Sequence, residues 1–291
     1  MATLRDIRRR IRSVQSTRQI TKAMEMVAAA KLRKAQARVH DARAYAEGMV
    51  QVLAACAAAS DAHGHPLLAR REVKRRGLIV IASDRGLCGA YTTNLMRAAD
   101  EYLQESGGAA RFYPVGRKAA EYLARRKRDM GEPVTDLPAL ADLRSLRELA
   151  SRVEREFTAG GPGSESRVDQ VDLLYTRFKS TMRREVRIER FLPISIEDAL
   201  AGVARTRDFL IEPSPAEMFR GLLPHYARTR LYIALAEANA SEHSARMVAM
   251  GAANTNAGEM IDRLTLTRNR LRQAVITKEI AEIVGGAEAL A

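Results

Sequence analysis

The sequence predicts an α/β protein: an antiparallel coiled coil of long N- and C-terminal helices with a mostly parallel, five-stranded α/β domain inserted between them. Three observations carry this reading. From Met1 to His65 there is no proline, and Gly48 and Gly64 are the only glycines. After Pro224 no proline recurs in the 291 residues. Between these ends the apolar pattern changes from a helical period to short unbroken runs.

The N-terminal helix starts at a plausible cap, with Thr3 before Leu4 and an acidic first turn at Asp6. Apolar side chains fall at Leu4, Ile7, Ile11 and Val14, slip in phase, return at Ile20, Met24 and Val27, and run on through Val39, Ala42, Ala46, Met49, Leu53 and Cys56. Steps of three and four define a heptad seam with an interruption. Gly77 to Ala82 reads as a buried parallel strand ending in the turn Ser83-Asp84-Arg85-Gly86. A helix over Thr93 to Glu105, a strand over Ala110 to Val115, a helix over Lys118 to Arg126, a weak strand over Pro133 to Leu137 and an amphipathic helix over Asp142 to Phe157 follow. Gly160 to Ser166 reads as a flexible loop, and Val171 to Phe178 and Val186 to Leu192 complete five strands. The alternation of strands and helices makes the sheet parallel, except that the short turn Lys179 to Arg184 makes the last pair antiparallel.

The C-terminal helix follows a four-three walk from Leu222 through Tyr226, Thr229, Ile233, Ala236, Ala240, His243, Met247, Met250, Asn254, Ala257, Ile261, Leu264, Arg268, Leu271 and Val275 to Lys278. At 1.5 Å per residue this helix is roughly 100 Å long and its N-terminal counterpart roughly 80 Å. Neither can bury its seam in a small domain, and antiparallel pairing lets each cover the other. The expected organisation is an N-terminal coiled-coil helix over 1–58, a linker over 59–76, a Rossmann-like α/β domain over 77–194, a linker over 195–215 and a C-terminal coiled-coil helix over 216–291.

The net charge is +13. Residues 1–50 carry twelve Lys and Arg against four Asp and Glu, whereas residues 215–291 carry nine against eight. A basic front end suits a nucleic acid, an acidic membrane surface or an acidic protein. No apolar run is long enough to span a bilayer, and the N-terminus lacks a secretory apolar block. Cys56 and Cys88, 32 residues apart, fit neither a disulfide framework nor a zinc site, which favours a reducing cytoplasmic setting.

No phosphate-binding loop of the GxxxxGK[ST] type occurs, and Gly86-Leu-Cys-Gly89 is too short for a dinucleotide fingerprint. Asp84, at a strand's C-terminal end, and Cys88 nearby form one enzymatic alternative. His63 and His65 are a weak metal pair. Arg5, Arg8, Arg9, Arg10 and Arg12 could neutralise nucleic-acid phosphates, though without interleaved aromatics; a helix flank facing an acidic protein surface is the rival.

Three blocks resemble the gamma-subunit family of F-type ATP synthases, in that family's order and spacing: Ile11 to Gln36, Ser83-Asp-Arg-Gly-Leu-Cys-Gly-Ala-Tyr91 with Asn94, and the end of the chain through Ala240 to Met247, Arg272 to Ile280 and Glu282 to Leu290. The resemblance implies a non-catalytic rotor, its paired helices turning inside a ring of three alpha and three beta subunits and its α/β domain meeting epsilon and the membrane c-ring. It implies no cofactor, nucleotide chemistry on the beta subunits, no nucleic acid partner, and a peripheral place on the cytoplasmic face of a bacterial inner membrane. Carried over by position, Lys22, Met24, Arg246, Arg272, Gln273, Thr277 and Glu279 become the coupling and partner-contact residues, and Ile276, Ile280, Ile283 and Val284 an apolar tip turning in a sleeve. Thr92, Gly251 and Arg268 depart from the family pattern; Gly251 inside a helix costs about 1 kcal/mol relative to Ala.

Overall fold

The computed structural model describes residues 3–59, 64–135, 143–158, 168–197 and 209–288. The expected loop at Gly160 to Ser166, together with His63 and Asp142, lies outside them. The chain divides into two compact units, one of residues 30–245 and one of residues 1–29 with 246–291. Helix α1 (Leu4–Ala58) and the last helix, Pro215–Glu288, contribute to both.

In the unit of residues 30–245, chain order runs β1 (Arg76–Ile81), α2 (Tyr91–Glu105), β2 (Ala110–Val115), α3 (Arg117–Arg125), α4 (Leu143–Thr158), β3 (Gln170–Phe178), β4 (Arg184–Leu192) and α5 (Pro215–Glu288). The strand order is β2-β1-β3-β4, with β1 parallel to both its neighbours and β4 antiparallel to β3. Alternation along each strand feeds two cores. Ile79, Ile81, Tyr113, Val171 and Leu173 pack with Met49, Leu53 and Cys56 of α1, with Leu149 and Val153 of α4, and with Leu231 and Leu235 of α5. Leu78, Val80, Phe112 and Leu174 pack with Leu95, Ala99 and Leu103 of α2 and Ala119 and Leu123 of α3.

The described sheet has four strands, not five. The expected strand at Pro133 to Leu137 is reduced, within its described part, to a bridge of Val134 to Val115, preceded by one of Met130 to Phe112. Between the two bridges β2 advances by three residues and the neighbouring segment by four, so the register slips by one. The slipped stretch includes Gly131, and Pro133, which has no N–H to give. Hydrogen bonds from Gly131 N to Phe112 O (2.8 Å) and from Val134 N to Pro114 O (3.0 Å) still cover this edge of β2.

In the unit of residues 1–29 and 246–291, the expected cap is present as a reciprocal pair. Asp6 N donates to Thr3 Oγ1 at 3.2 Å, and Thr3 N and Oγ1 both donate to Asp6 Oδ2. Those hydrogen bonds hold the Asp6 carboxyl below its ordinary pKa. The seam of α1 differs from the expected one. Ile7, Ile11 and Ala28 are buried and Val14 is half-buried, but the positions that continue their four-three rhythm are Arg18, Thr21 and Glu25. The rhythm is unbroken: polar residues occupy the seam where the apolar pattern seemed to slip. Ile20 and Val27 point outward, 57% and 55% exposed. On α5 the expected walk holds, with Met250 and Ala257 buried and Asn254, Ile261, Leu264, Arg268 and Leu271 half-buried.

Candidate functional site

Over residues 18–27 the seam of α1 is polar and its outer face carries apolar side chains. Arg18 lies across Gly258 of α5, and the Glu25 carboxylate lies across Gly251, so a Cβ at either glycine would meet these side chains at 3.6 Å. The pairs advance by one heptad on α1 and retreat by one on α5, as antiparallel helices must. Outward stand Ile20, Met26 and Val27, each more than half exposed. Glu25 is the only acidic residue between Ile7 and His40, a span with ten Lys and Arg, and its carboxylate receives the Lys22 ammonium at 3.2 Å. An apolar stripe in a basic rim is a surface suited to a partner that offers apolar side chains among carboxylates.

All seven residues named from the family resemblance fall in the unit of residues 1–29 and 246–291. Lys22 is exposed, while Met24 and Arg246 are half-buried. Arg272, Gln273, Thr277 and Glu279 are exposed on α5. The structure does not gather them into one pocket. They are spread along two helices. Ile276, Ile280, Ile283 and Val284 are exposed as well. The sequence pattern places Ile20 and Val27 on the seam, and the structure turns them outward. The run of basic residues broken only by Glu25 was the available signal that this stretch faces outward on two sides.

The alternative centre at Asp84 and Cys88 has a structural account. Asp84 Oδ1 accepts the Arg117 N–H at 2.8 Å, satisfying an otherwise open donor at the start of α3. Cys88 is buried beside Ser83 and Thr92, whose hydroxyls are 3.0 Å apart. Thr92 thus helps close the loop between β1 and α2. Leu87 and Gly89 carry φ values of 63° and 58° in the same loop. His65 uses Nδ1 to accept the Leu67 N–H at 3.1 Å, capping a short helix at Pro66–Leu68. Among the described residues, no group of three or more His, Cys, Asp or Glu could hold a metal ion. No helix there is long and apolar enough to cross a membrane.

The family model described as ATP synthase matches residues 3–290. An ATP synthase gamma chain of Moorella thermoacetica is 48% identical over the whole of both chains, and one of Pelotomaculum thermopropionicum is 43% identical over the same extent. The chain belongs to the ATP synthase gamma-chain family. Solved structures agree on the fold of such a chain. The central stalk and c-ring structure of the Tetrahymena thermophila mitochondrial ATP synthase contains a chain with TM-score 0.62 and 28% identity, covering 80% of this chain and 99% of that one. A chain of the Euglena gracilis mitochondrial enzyme has TM-score 0.66 at 20% identity, covering 99% and 94%, and speaks for the fold alone. A gamma chain is a central-stalk component and not a catalytic one, which accords with the structural roles found for Asp84 and Cys88.

Two of the family departures gain a physical context here. Gly251 faces Glu25 across the seam, and half-buried Arg268 reaches its neighbour Asn269 at 3.2 Å. Nothing in these contacts explains why Arg268 replaces an aromatic residue.

Proposed function

We propose that this gamma chain is the rotating shaft of a bacterial F-type ATP synthase. Its paired helices turn inside a ring of three alpha and three beta subunits, and its α/β domain meets epsilon and the membrane c-ring. It sits peripherally on the cytoplasmic face of the inner membrane. The observation that carries the reading is the stretch at residues 18–27, where buried Thr21 and half-buried Glu25 hold the seam, exposed Arg18 reaches over Gly258, and branched apolar side chains face outward within a basic rim. A helix that stood alone would gain by the opposite arrangement, because burial of Ile20 and Val27 would contribute about 1.5–3 kcal/mol each. The outward stripe therefore supports contact with a surrounding partner.

Within this reading Lys22 and Met24 border the stripe and meet the beta subunits. Arg246, Arg272, Gln273, Thr277 and Glu279 make further shaft contacts, and Ile276, Ile280, Ile283 and Val284 turn in an apolar sleeve. The residues divide by role into the two coiled-coil helices over 1–58 and 216–291, the domain over 77–194 and the linkers at 59–76 and 195–215. Nucleotide chemistry belongs to the beta subunits. Reconstitution with alpha and beta subunits tests the proposal. One copy of this chain per ring, with ATP hydrolysis that depends on it and is weakened by Ile20→Gln with Val27→Gln, is expected. A ring that assembles and turns over equally well without it would overturn the rotor role.

A further inference from the structure

The inward side of the same stretch has its own physics. Along the seam of α1, Ile7 and Ile11 precede it and Ala28, Leu32, Ala35 and Val39 follow it, all buried. Between them the seam offers half-buried Val14, then Arg18, Thr21 and Glu25. The facing stretch of α5 supplies Gly251, Asn254 and Gly258 beside Ala257. Glycine gives a helix interior more unfolded-state freedom to lose and no side chain to pack. Three threonines at this level also bend their hydroxyls back onto their own helices: Thr17 to Ser13 O at 3.1 Å, Thr21 to Arg18 O at 3.0 Å and Thr255 to Gly251 O at 3.2 Å. Such back-bonding slightly destabilises a helix and often bends it. The side chains of Arg18 and Glu25 reach over the glycines but leave room for a Cβ at each, which would stand 3.6 Å from them, so no knob fills these holes.

We propose that residues 14–25 of α1 and 251–262 of α5 form a soft joint in the coiled coil, a place where the two helices open and twist before the apolar seam on the α1 side of Ala28 yields. Polar side chains reaching over glycines, with space for a Cβ left beneath them, can slide or lift without stripping apolar knobs from their holes. The joint is a property of the chain itself and does not depend on the assembly proposed above.

Hydrogen–deuterium exchange on the full-length chain tests it, because local opening sets amide exchange. Peptides covering 14–26 and 250–262 are expected to exchange about tenfold faster than those covering 28–42. The double variant Gly251→Ala with Gly258→Ala, whose added Cβ atoms meet nothing closer than 3.6 Å, is expected to slow exchange on both helices of the joint. Gly48→Ala, on α1 outside the joint with open space around it, is expected to leave those rates unchanged. Uniform exchange along α1 would overturn the proposal. So would a double variant that slows α5 alone, since helix propensity without the joint does only that. Arg18→Leu provides an independent arm: an apolar knob in the seam slows the same peptides if the joint is soft for lack of one, and leaving them unchanged counts against it.

Discussion

Gly116 and Gly251 are both glycines inside ordered structure, and their surroundings require opposite outcomes on substitution. Gly116, between β2 and α3, has φ of 96°, and a Cβ there would stand 2.3 Å from Ala82 O. Gly116→Ala is therefore expected to destabilise the chain by about 3 kcal/mol, through a left-handed backbone and a clash with main chain that cannot turn away. A Cβ on Gly251 meets the Glu25 carboxylate at 3.6 Å. Gly251→Ala is expected to stabilise by up to about 1 kcal/mol, the helix propensity gained. Urea unfolding of the two variants checks both signs. His65 gives a pH test at the same scale. Burial, with the Arg220 charge adding to it, holds its pKa below the ordinary 6.5, and its Nδ1 must be unprotonated to accept the Leu67 N–H. The folded chain then binds the proton less readily than the unfolded one. Its stability contribution is full above pH 6.5 and is lost as the pH falls through the depressed folded value. His65→Asn keeps a capping acceptor and is expected to flatten that slope in unfolding free energy measured between pH 7 and pH 5.

Among the elements, α1 and α5 are joined in the unit of residues 30–245 by an ion pair whose carboxylate is buried and whose guanidinium is partly exposed. Glu237 on α5 is buried, and its Oε1 accepts from Arg43 Nε of α1 at 3.1 Å; the same guanidinium reaches Phe178 O at 3.4 Å. Its other oxygen, Oε2, is buried with no hydrogen-bond partner among the described residues. Arg43→Met is expected to cost about 3 kcal/mol, because it strands a buried carboxylate, and Arg43→Met with Glu237→Met to recover part of that loss. A double-mutant cycle of thermal unfolding measures the coupling. Element placement was readable where one physical signal dominated: β1 was an unbroken apolar run, and the four-three walk of α5 matches its burial through Leu271. It failed where two signals competed. At Pro133 a short apolar stretch looked like a strand, but a slipped register and a residue without a donor left only bridges. At residues 18–27 the rule that apolar means inward points to Ile20 and Val27 as seam residues, and it fails on a helix whose outer face is apolar as well. The Arg43–Glu237 pair had no sequence signal at all, since the partners are 194 residues apart.

For the molecule as a whole, the family and the paired-helix plan were legible because their motifs run from one end of the chain to the other. The contacts expected of the shaft with its surroundings rest on resemblance alone. What the structure adds is that described side chains from Arg272 to Val284 are exposed, including Ile276, Ile280, Ile283 and Val284 at successive turns of α5. An apolar stripe of this kind contributes nothing to the fold of the chain by itself and remains available for association. Two consequences are expected of the isolated chain. Removing residues 272–291 changes the midpoint of thermal unfolding by no more than about 2 °C, since no described side chain there is buried and a loss of 1 kcal/mol would shift a domain of this size by about that much or more. The intact chain also self-associates with rising concentration in sedimentation, whereas Ile276→Gln, Ile280→Gln and Ile283→Gln together keep it monomeric with the same melting midpoint. Association that survives the triple variant would assign it elsewhere, first to the stripe at Ile20 and Val27, and a large drop in melting midpoint on truncation would mean that the last turns of α5 pack against the rest of the chain in solution. Holding stability and association apart in this way identifies which exposed surface is kept free for a partner.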